Sequence, residues 1–286
     1  MADLPNRLER PLSVAAAIAA LSGKTNKVVP VAGATWIMRA GSRGEKIDGT
    51  FVDLSAIPDL SDIDVAKDKV SIGAMATQDV IAKGLAGHAD MAALMMATGY
   101  TANPAIRRAA TIGGNICTAD FAASDIVPAL LALDAEVEIV SPDGTSLMSM
   151  AEFLSTRRSL GRAVLVTRIV IPRRLQASTH SRITLRKAGD YPVANLSAAI
   201  TVAEDRTIRT AAVAVGGVEP VAKRWTGFEN ALIGRNLESG EFREIAGNYT
   251  DEFEGRDDTG APGWYRVRLL PALADRAFRF LTKSTA

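Results

Sequence analysis

Residues 111–116 read TIGGNI, and residues 31–38 read VAGATWIM. In the second stretch a short apolar run, KVVPVAG (27–33), ends in a glycine flanked by alanines, as a buried strand does where it empties into a tight turn. In the first, paired glycines precede an asparagine. Glycine at such a point lets backbone N–H groups approach a phosphate with no Cβ in the way, and two such turns can grip a pyrophosphate from opposite sides. Neither stretch is a G-x-G-x-x-G, and no G-x-x-x-x-G-K-[ST] occurs in the chain, so the Rossmann and P-loop patterns fail. One such turn alone is more often a bulge or a cap. The pair, some eighty residues apart, points to one ligand touching both.

Around the two turns the chain divides into three parts. The first begins with LSVAAAIAAL (12–21), where Ser13 suits an N-cap for a helix over 14–21 and Gly23 follows its end. Arg7 and Arg10 before this apolar run imitate a secretory leader, but the cap at Ser13 and the stop at Gly23 favour a folded helix. About ten apolar residues are half of what spans a bilayer, so no transmembrane segment is expected. After the first glycine turn comes a strand in TFVDLSAI (50–57). The middle part has a strand over 70–72, a helix capped by Thr77 with Asp79 in its first turn, and an apolar helix in DMAALMMATGY (90–100). Beyond the second turn it has a helix from about Ser124 and a strand over 136–140. LVTRIVIP (165–172), SRITLRKAG (181–189), VANLSAAITVA (193–203) and IRTAAVAVGGV (208–218) alternate as antiparallel strands, with Asp205 suited to a hairpin turn. Helical spacing returns from Trp225 to Leu281. The order gives a mixed α+β chain, expected to divide at 1–54, 55–174 and 175–286.

Composition bounds the chemistry. The 286 residues are 48% apolar and 23% charged, which suits a globular protein of more than one domain. With 33 basic against 32 acidic residues there is no field to steer nucleic acid, and none is expected as a partner. Cys117 is the only cysteine, and His88 and His180 are the only histidines. Thiolate zinc sites and iron–sulfur clusters therefore lack ligands, and redox chemistry requires an organic cofactor. The lone thiol is compatible with a reducing compartment, and a cytoplasmic location is expected. Cys117 reads as a small packing residue, because no partner cysteine or nearby histidine accompanies it. His88 and His180 sit in polar contexts (AGHAD, STHSR) and read as surface or locally bonded, so no covalent cofactor link is expected. Trp225 and Trp264 read as core or interface anchors. TDEFEGRDDTG (250–260) reads as a solvated loop.

VAGATWIM, NPAIRRAATIGGNICTADFAASDIVPA (103–129), LRKAGDY (185–191), AVGGVEP (214–220) and DDTGAPGWYRVRLLPALADRAF (257–278) occur together in the order of one family. The chain resembles the FAD-binding medium subunit of molybdenum hydroxylases, the xanthine dehydrogenase family, and within it the carbon monoxide dehydrogenase flavoproteins. The resemblance covers essentially the whole chain, and TIGGN with its nearby SD is its most specific part. It implies a two-part FAD-binding region of the vanillyl-alcohol-oxidase/PCMH type followed by a C-terminal antiparallel sheet with helices. It implies non-covalent FAD, with pyrophosphate contacts from Ala32, Gly33, Ala34, Thr35 and Trp36 and from Thr111, Ile112, Gly113, Gly114 and Asn115. Asp125 falls where the family has an acidic residue near the adenosine end, Tyr191 where a tyrosine lies by the flavin ring, and Lys187 borders the same region.

The resemblance further implies an electron-transfer subunit of an oxidoreductase. Electrons would come from two [2Fe-2S] clusters in a small subunit, served by a large molybdopterin subunit, and leave to an external acceptor. The assembly would be a dimer of heterotrimers, a heterohexamer. Three departures from the pattern bear on the site: Ala34 stands where a second glycine is common, Trp36 is bulky where a small polar residue is frequent, and one extra residue separates TIGGN from SD. Two other readings remain open at this level. One is a self-sufficient FAD-dependent reductase like UDP-N-acetylmuramate dehydrogenase, for which the C-terminal part offers no evident proton donor. The other is an assembly subunit without FAD.

Overall fold

Ser13 opens the first helix, α1 (Val14–Leu21), its hydroxyl accepting from the Ala16 N–H at 3.2 Å. Ala17, Ile18 and Leu21 turn inward against a small parallel sheet of β1 (Arg7–Glu9), β2 (Val28–Val31) and β3 (Thr50–Asp53), ordered β1-β3-β2. The computed structural model describes residues 7–23, 27–186 and 191–284.

The middle sheet is antiparallel and five-stranded. It contains β4 (Ile63–Val65), β5 (Lys69–Gly73), β6 (Glu136–Ser141), β7 (Gly144–Ser149) and β8 (Leu165–Pro172) in the order β4-β5-β8-β6-β7. The LVTRIVIP strand thus belongs to this sheet, at its centre between β5 and β6, and not with the strands that follow it in sequence. Six helices accompany the sheet: α2 (Gln78–Gly84), α3 (Ala92–Gly99), α4 (Pro104–Ala109), α5 (Ile112–Cys117), α6 (Ile126–Ala132) and α7 (Met150–Thr156). Thr77 caps α2, with Asp79 in the first turn paired to Lys83 at 2.7 Å. TIGGNI, read as a turn, is a helix start: Thr111 caps α5 by accepting from the Gly114 N–H at 3.1 Å.

The C-terminal sheet runs β12-β11-β10-β9, from β9 (Ala177–Thr184), β10 (Pro192–Val202), β11 (Ile208–Gly216) and β12 (Lys223–Arg224). Asp205 serves the β10–β11 turn by accepting from the Thr207 N–H at 3.0 Å. The alternation read in β10 does not separate a wet face from a dry one, since its first nine residues are all buried. Both faces are covered, by α3 and α6 on one side and by α8 (Thr226–Leu232) and α11 (Leu270–Ser284) on the other. Ala199 and Ala214 join the core of the middle region, whereas Leu196, Ala198 and Ile200 join that of the C-terminal helices.

Two shorter helices, α9 (Phe242–Gly247) and α10 (Gly263–Arg268), complete the tail. Trp225 is fully buried there, and Trp264 is exposed. The 250–260 segment is not simply solvated. Arg256 donates its backbone N–H to Val218 O, and Asp258 pairs with the buried Arg266, which also binds the carbonyls of Val193 and Gly217 at 2.7 and 2.9 Å. Among the described residues, no helix is long and apolar enough to cross a membrane.

Candidate functional site

A cavity of about 1090 Å³ lies where the three sheets converge, and both glycine stretches line it. The first stretch leaves β2 at Val31 and bends at Ala34, whose φ of 57° is left-handed. An L-residue with a Cβ rarely adopts that backbone, so the alanine keeps the turn that a glycine would make without strain. Gly33 meets a different demand. A Cβ at this position would overlap the carbonyl oxygen of Ala109 at the end of α4, so the missing side chain is filled by protein. The N–H groups of Gly33, Ala34, Thr35 and Trp36 donate to no acceptor among the described residues. Four successive amides without an acceptor, on residues that line the cavity, are what an anion-binding nest requires.

The second stretch is arranged otherwise. Ile112 N donates to Ala76 O at 3.0 Å, Gly113 N to Ala74 O at 2.8 Å, and Gly114 N to the Thr111 hydroxyl. These amides are already bonded within the chain, so α5 offers the cavity a bare surface at Gly113 and Gly114 and not a second row of donors. The two stretches lie side by side, since a Cβ built on Gly114 would stand 3.6 Å from the Ala32 methyl. Ile112 departs from the expected site. It is fully buried in the middle core and does not line the cavity, since the helical turn points it away from Gly113 and Gly114.

Asp125, whose spacing from TIGGN departs from the pattern, nevertheless reaches the cavity wall. The C-terminal sheet holds it there: His180 Nε2 at 3.0 Å, Arg182 Nε at 3.2 Å and Asn195 Nδ2 at 3.0 Å all meet its Oδ1. Arg182 and Asn195 donate to it. His180 is therefore not a surface residue. It is buried in β9, with its Nδ1 2.8 Å from the Ser197 hydroxyl on the paired strand. His88 is not bonded locally either, since its Nδ1 lies 3.4 Å from the guanidinium of Arg173, 85 positions on.

At another part of the wall an aromatic group joins all three regions. The Trp36 ring lies 5.4 Å from Phe121, and Phe121 lies 5.1 Å from Tyr191. The Arg39 guanidinium donates to the Tyr191 hydroxyl, and Arg43 stacks over Trp36 at 4.2 Å while making two 2.7 Å bonds to Glu45. That ion pair holds the Glu45 carboxyl below its ordinary value. Lys187 lies outside the described residues, so the structure says nothing of its place.

Cys117 is exposed to the open space of the cavity, whose walls surround it. Burial between those walls pushes its thiol up to about 12, with the Arg157 charge only partly opposing. A thiol so far from ionisation is a poor nucleophile, in agreement with its reading as a packing residue. The contributions of Arg39, Arg43, Arg157 and Gln78 to the wall carried no signal in the sequence, because each lies outside the quoted motifs, and Phe121 lies within the 103–129 motif without having been singled out.

Comparison with known proteins places the chain among flavoproteins. Residues 5–174 match the family described as the FAD binding domain in molybdopterin dehydrogenase, and residues 180–281 match the CO dehydrogenase flavoprotein C-terminal domain. The glyceraldehyde dehydrogenase medium chain of Sulfolobus acidocaldarius is 26% identical over 231 residues, 80% of this chain and 82% of its own length. The carbon monoxide dehydrogenase medium chain of Afipia carboxidovorans is 26% identical over 276 residues, 94% and 93% of the two chains. Among solved structures, a Cu,Mo-CO dehydrogenase superposes with a TM-score of 0.87 at 24% identity, covering 98% of both chains. Quinoline 2-oxidoreductase from Pseudomonas putida 86 superposes at 0.88 and 22% identity, covering 99% of both. At these identities the structures establish the fold.

Proposed function

We infer the function from one premise: the chain belongs to the molybdopterin dehydrogenase FAD-binding family and carries the C-terminal domain of CO dehydrogenase flavoproteins behind it. It is thus a component of an oxidoreductase, and its cofactor is FAD. Beyond that, we propose that it is the electron-transfer subunit of a three-subunit molybdenum hydroxylase. In that role it takes electrons from [2Fe-2S] clusters in a small subunit, fed by a molybdopterin-bearing large subunit, and passes them to an external acceptor. The medium-chain names of its relatives support such partners. So does composition, because each cluster needs four ligands of the cysteine type and this chain has one cysteine. A dimer of heterotrimers in the cytoplasm completes the proposal, as does a division of the chain at residues 54 and 174, which the three separate sheets support.

The observation that carries the cofactor part of this reading is the run of free amides over 33–36 on the cavity wall. These donors suit the pyrophosphate, and the small faces of Gly113, Gly114 and Asn115 would border it. Asp125 would accept from a cofactor hydroxyl, and Tyr191, with Lys187, would flank the flavin end. Bound FAD supplies a carrier that accepts electrons singly and gives them up in pairs. Cys117 is neutral, His88 is engaged by Arg173, and His180 faces Asp125, which supports attachment without a covalent bond. Ala34 keeps its left-handed turn, which argues against a chain that has lost its cofactor.

The test is the visible spectrum of the purified chain, followed by acid release and chromatography of its pigment. Released FAD, with no substrate-dependent dye reduction until both partner subunits are added, is the expected result. A chain that stays colourless with added FAD, alone and in the complex, defeats the proposal.

A further inference from the structure

The polar run STHSR (178–182) gives no local reason for a buried imidazole. In β9 the His180 side chain nevertheless keeps only 3% of its surface, and both ring nitrogens are engaged. Nε2 stands 3.0 Å from Asp125 Oδ1, and Nδ1 stands 2.8 Å from the Ser197 hydroxyl. Strand register explains the second contact, since the fully buried Ser197 lies directly opposite His180 on β10. A carboxylate only accepts, so Nε2 carries the proton that points at Asp125. The ring is fixed at both ends, by a hydroxyl of its own sheet and by a carboxylate of the middle region.

Asp125 is held unevenly. Its side chain is 9% exposed, and a carboxylate so buried requires donors. All three fall on one oxygen. His180 Nε2, Arg182 Nε and Asn195 Nδ2 converge on Oδ1, whereas Oδ2 accepts nothing among the described residues and is not sealed from solvent. Three donors fill what Oδ1 can accept, so Oδ2 is the oxygen left for a ligand of the cavity that Asp125 lines. The donors differ in what else they do. Asn195 also donates to Ser124 O, and Arg182 lines the cavity itself with 21% of its side chain exposed. The His180 side chain bonds to Ser197 and Asp125 alone and does not line the cavity.

We propose that His180 is a positioning residue for the cofactor: by holding Oδ1 it sets the direction in which Oδ2 of Asp125 meets a hydroxyl of FAD. This rests on the FAD reading and on the part given there to Asp125. A carboxylate turns easily about its last side-chain bond, and a hydrogen bond weakens steeply when misdirected. An oxygen anchored on one side of the group therefore aims the other. Of the three anchors, the imidazole is the one locked from behind, by Ser197.

The experiment titrates the full-length chain and its variants with FAD, followed through flavin fluorescence, with thermal melting of the FAD-free chain alongside. Glutamine puts its amide nitrogen about where Nε2 stands, facing Asp125, and asparagine about where Nδ1 stands, facing Ser197. His180→Asn is expected to weaken FAD binding roughly tenfold, and His180→Gln to stay within about twofold of the wild type. In an Asp125→Asn background the His180→Asn loss should shrink below about twofold, because the ring acts through the carboxylate. His180→Leu carries the same expectation as His180→Asn should that variant not be soluble. Wild-type affinity in both single variants overturns the inference, and so does an equal loss in both. A His180→Asn loss that persists in full in the Asp125→Asn background overturns it as well, and each of these results leaves the FAD reading intact. A lower melting temperature with unchanged affinity assigns His180 to packing and overturns it too. A wild-type chain that binds no FAD, alone and in the complex, overturns both.

Discussion

Gly33 lies so close to Ala109 that a Cβ would overlap the alanine carbonyl oxygen, and this contact closes the first glycine stretch onto the segment leading into the second. The glycine is required by the protein's own packing, while its N–H donates to no acceptor among the described residues.

Gly33→Ala is accordingly expected to part the two stretches. Overpacking of this kind costs about 1–3 kcal/mol, and the displaced amides lose their common aim. Melting should fall and FAD should be lost together. Gly41, around whose Cβ position nothing lies within 4 Å, is the control. Gly41→Ala should leave both measurements unchanged, and a Gly33→Ala chain that retains FAD at wild-type level would count against the arrangement.

Ala34→Gly tests the strained turn. A left-handed L-residue costs roughly 1–2 kcal/mol, and a glycine gives back about 0.4–1 kcal/mol through the unfolded chain. The variant should be more stable by up to about 1 kcal/mol, with FAD affinity at least as high. A clear loss of stability by thermal melting would mean that the Ala34 methyl has a packing role of its own.

Asp125→Ala removes the acceptor shared by Arg182 and Asn195 and faced by His180. Leaving buried donors without an acceptor costs about 1–3 kcal/mol, and more where one is charged. Chemical denaturation should register that loss, and it should fall on the contact between the middle region and the C-terminal sheet. FAD affinity should drop as well. Stability equal to the wild type would show that the three donors find other partners.

Cys117 yields a pH prediction. Its thiol is held up to about 12 against an ordinary 9.0, so the folded chain keeps its proton where the unfolded chain loses it. The folded state then binds more protons, and stability falls as pH rises between those two values. Alkylation of the FAD-free chain should be slow at pH 8 and still be accelerating beyond pH 10. A rate that levels off near pH 9 would mean an ordinary thiol. Cys117→Ser should transfer electrons at close to the wild-type rate.

Much of the architecture was legible because the signals are local. Ser13 and Thr77 sit where hydroxyls satisfy the first amides of their helices, and Asp205 bonds the backbone two residues on. β10 was legible as a strand but not as a buried one. Apart from Asn195 its residues are small or apolar, and only the arrival of helices on both faces separates them into two cores. His180 was misjudged for a related reason. STHSR is polar in sequence, and nothing nearby announces that Asp125, 55 positions earlier, will be waiting across the domain contact.

The sequence by itself determined the family, the α+β order of elements and the two stretches that meet at the cavity, since caps, periodicity and glycine positions act over a few residues. Only the tertiary structure decided how the stretches divide their work. The Ile112 and Gly113 amides are consumed by Ala76 and Ala74, while those of 33–36 find no acceptor among the described residues. A hydrogen bond is settled by which acceptor lies within about 3 Å, and along this chain those acceptors come from residues dozens of positions away.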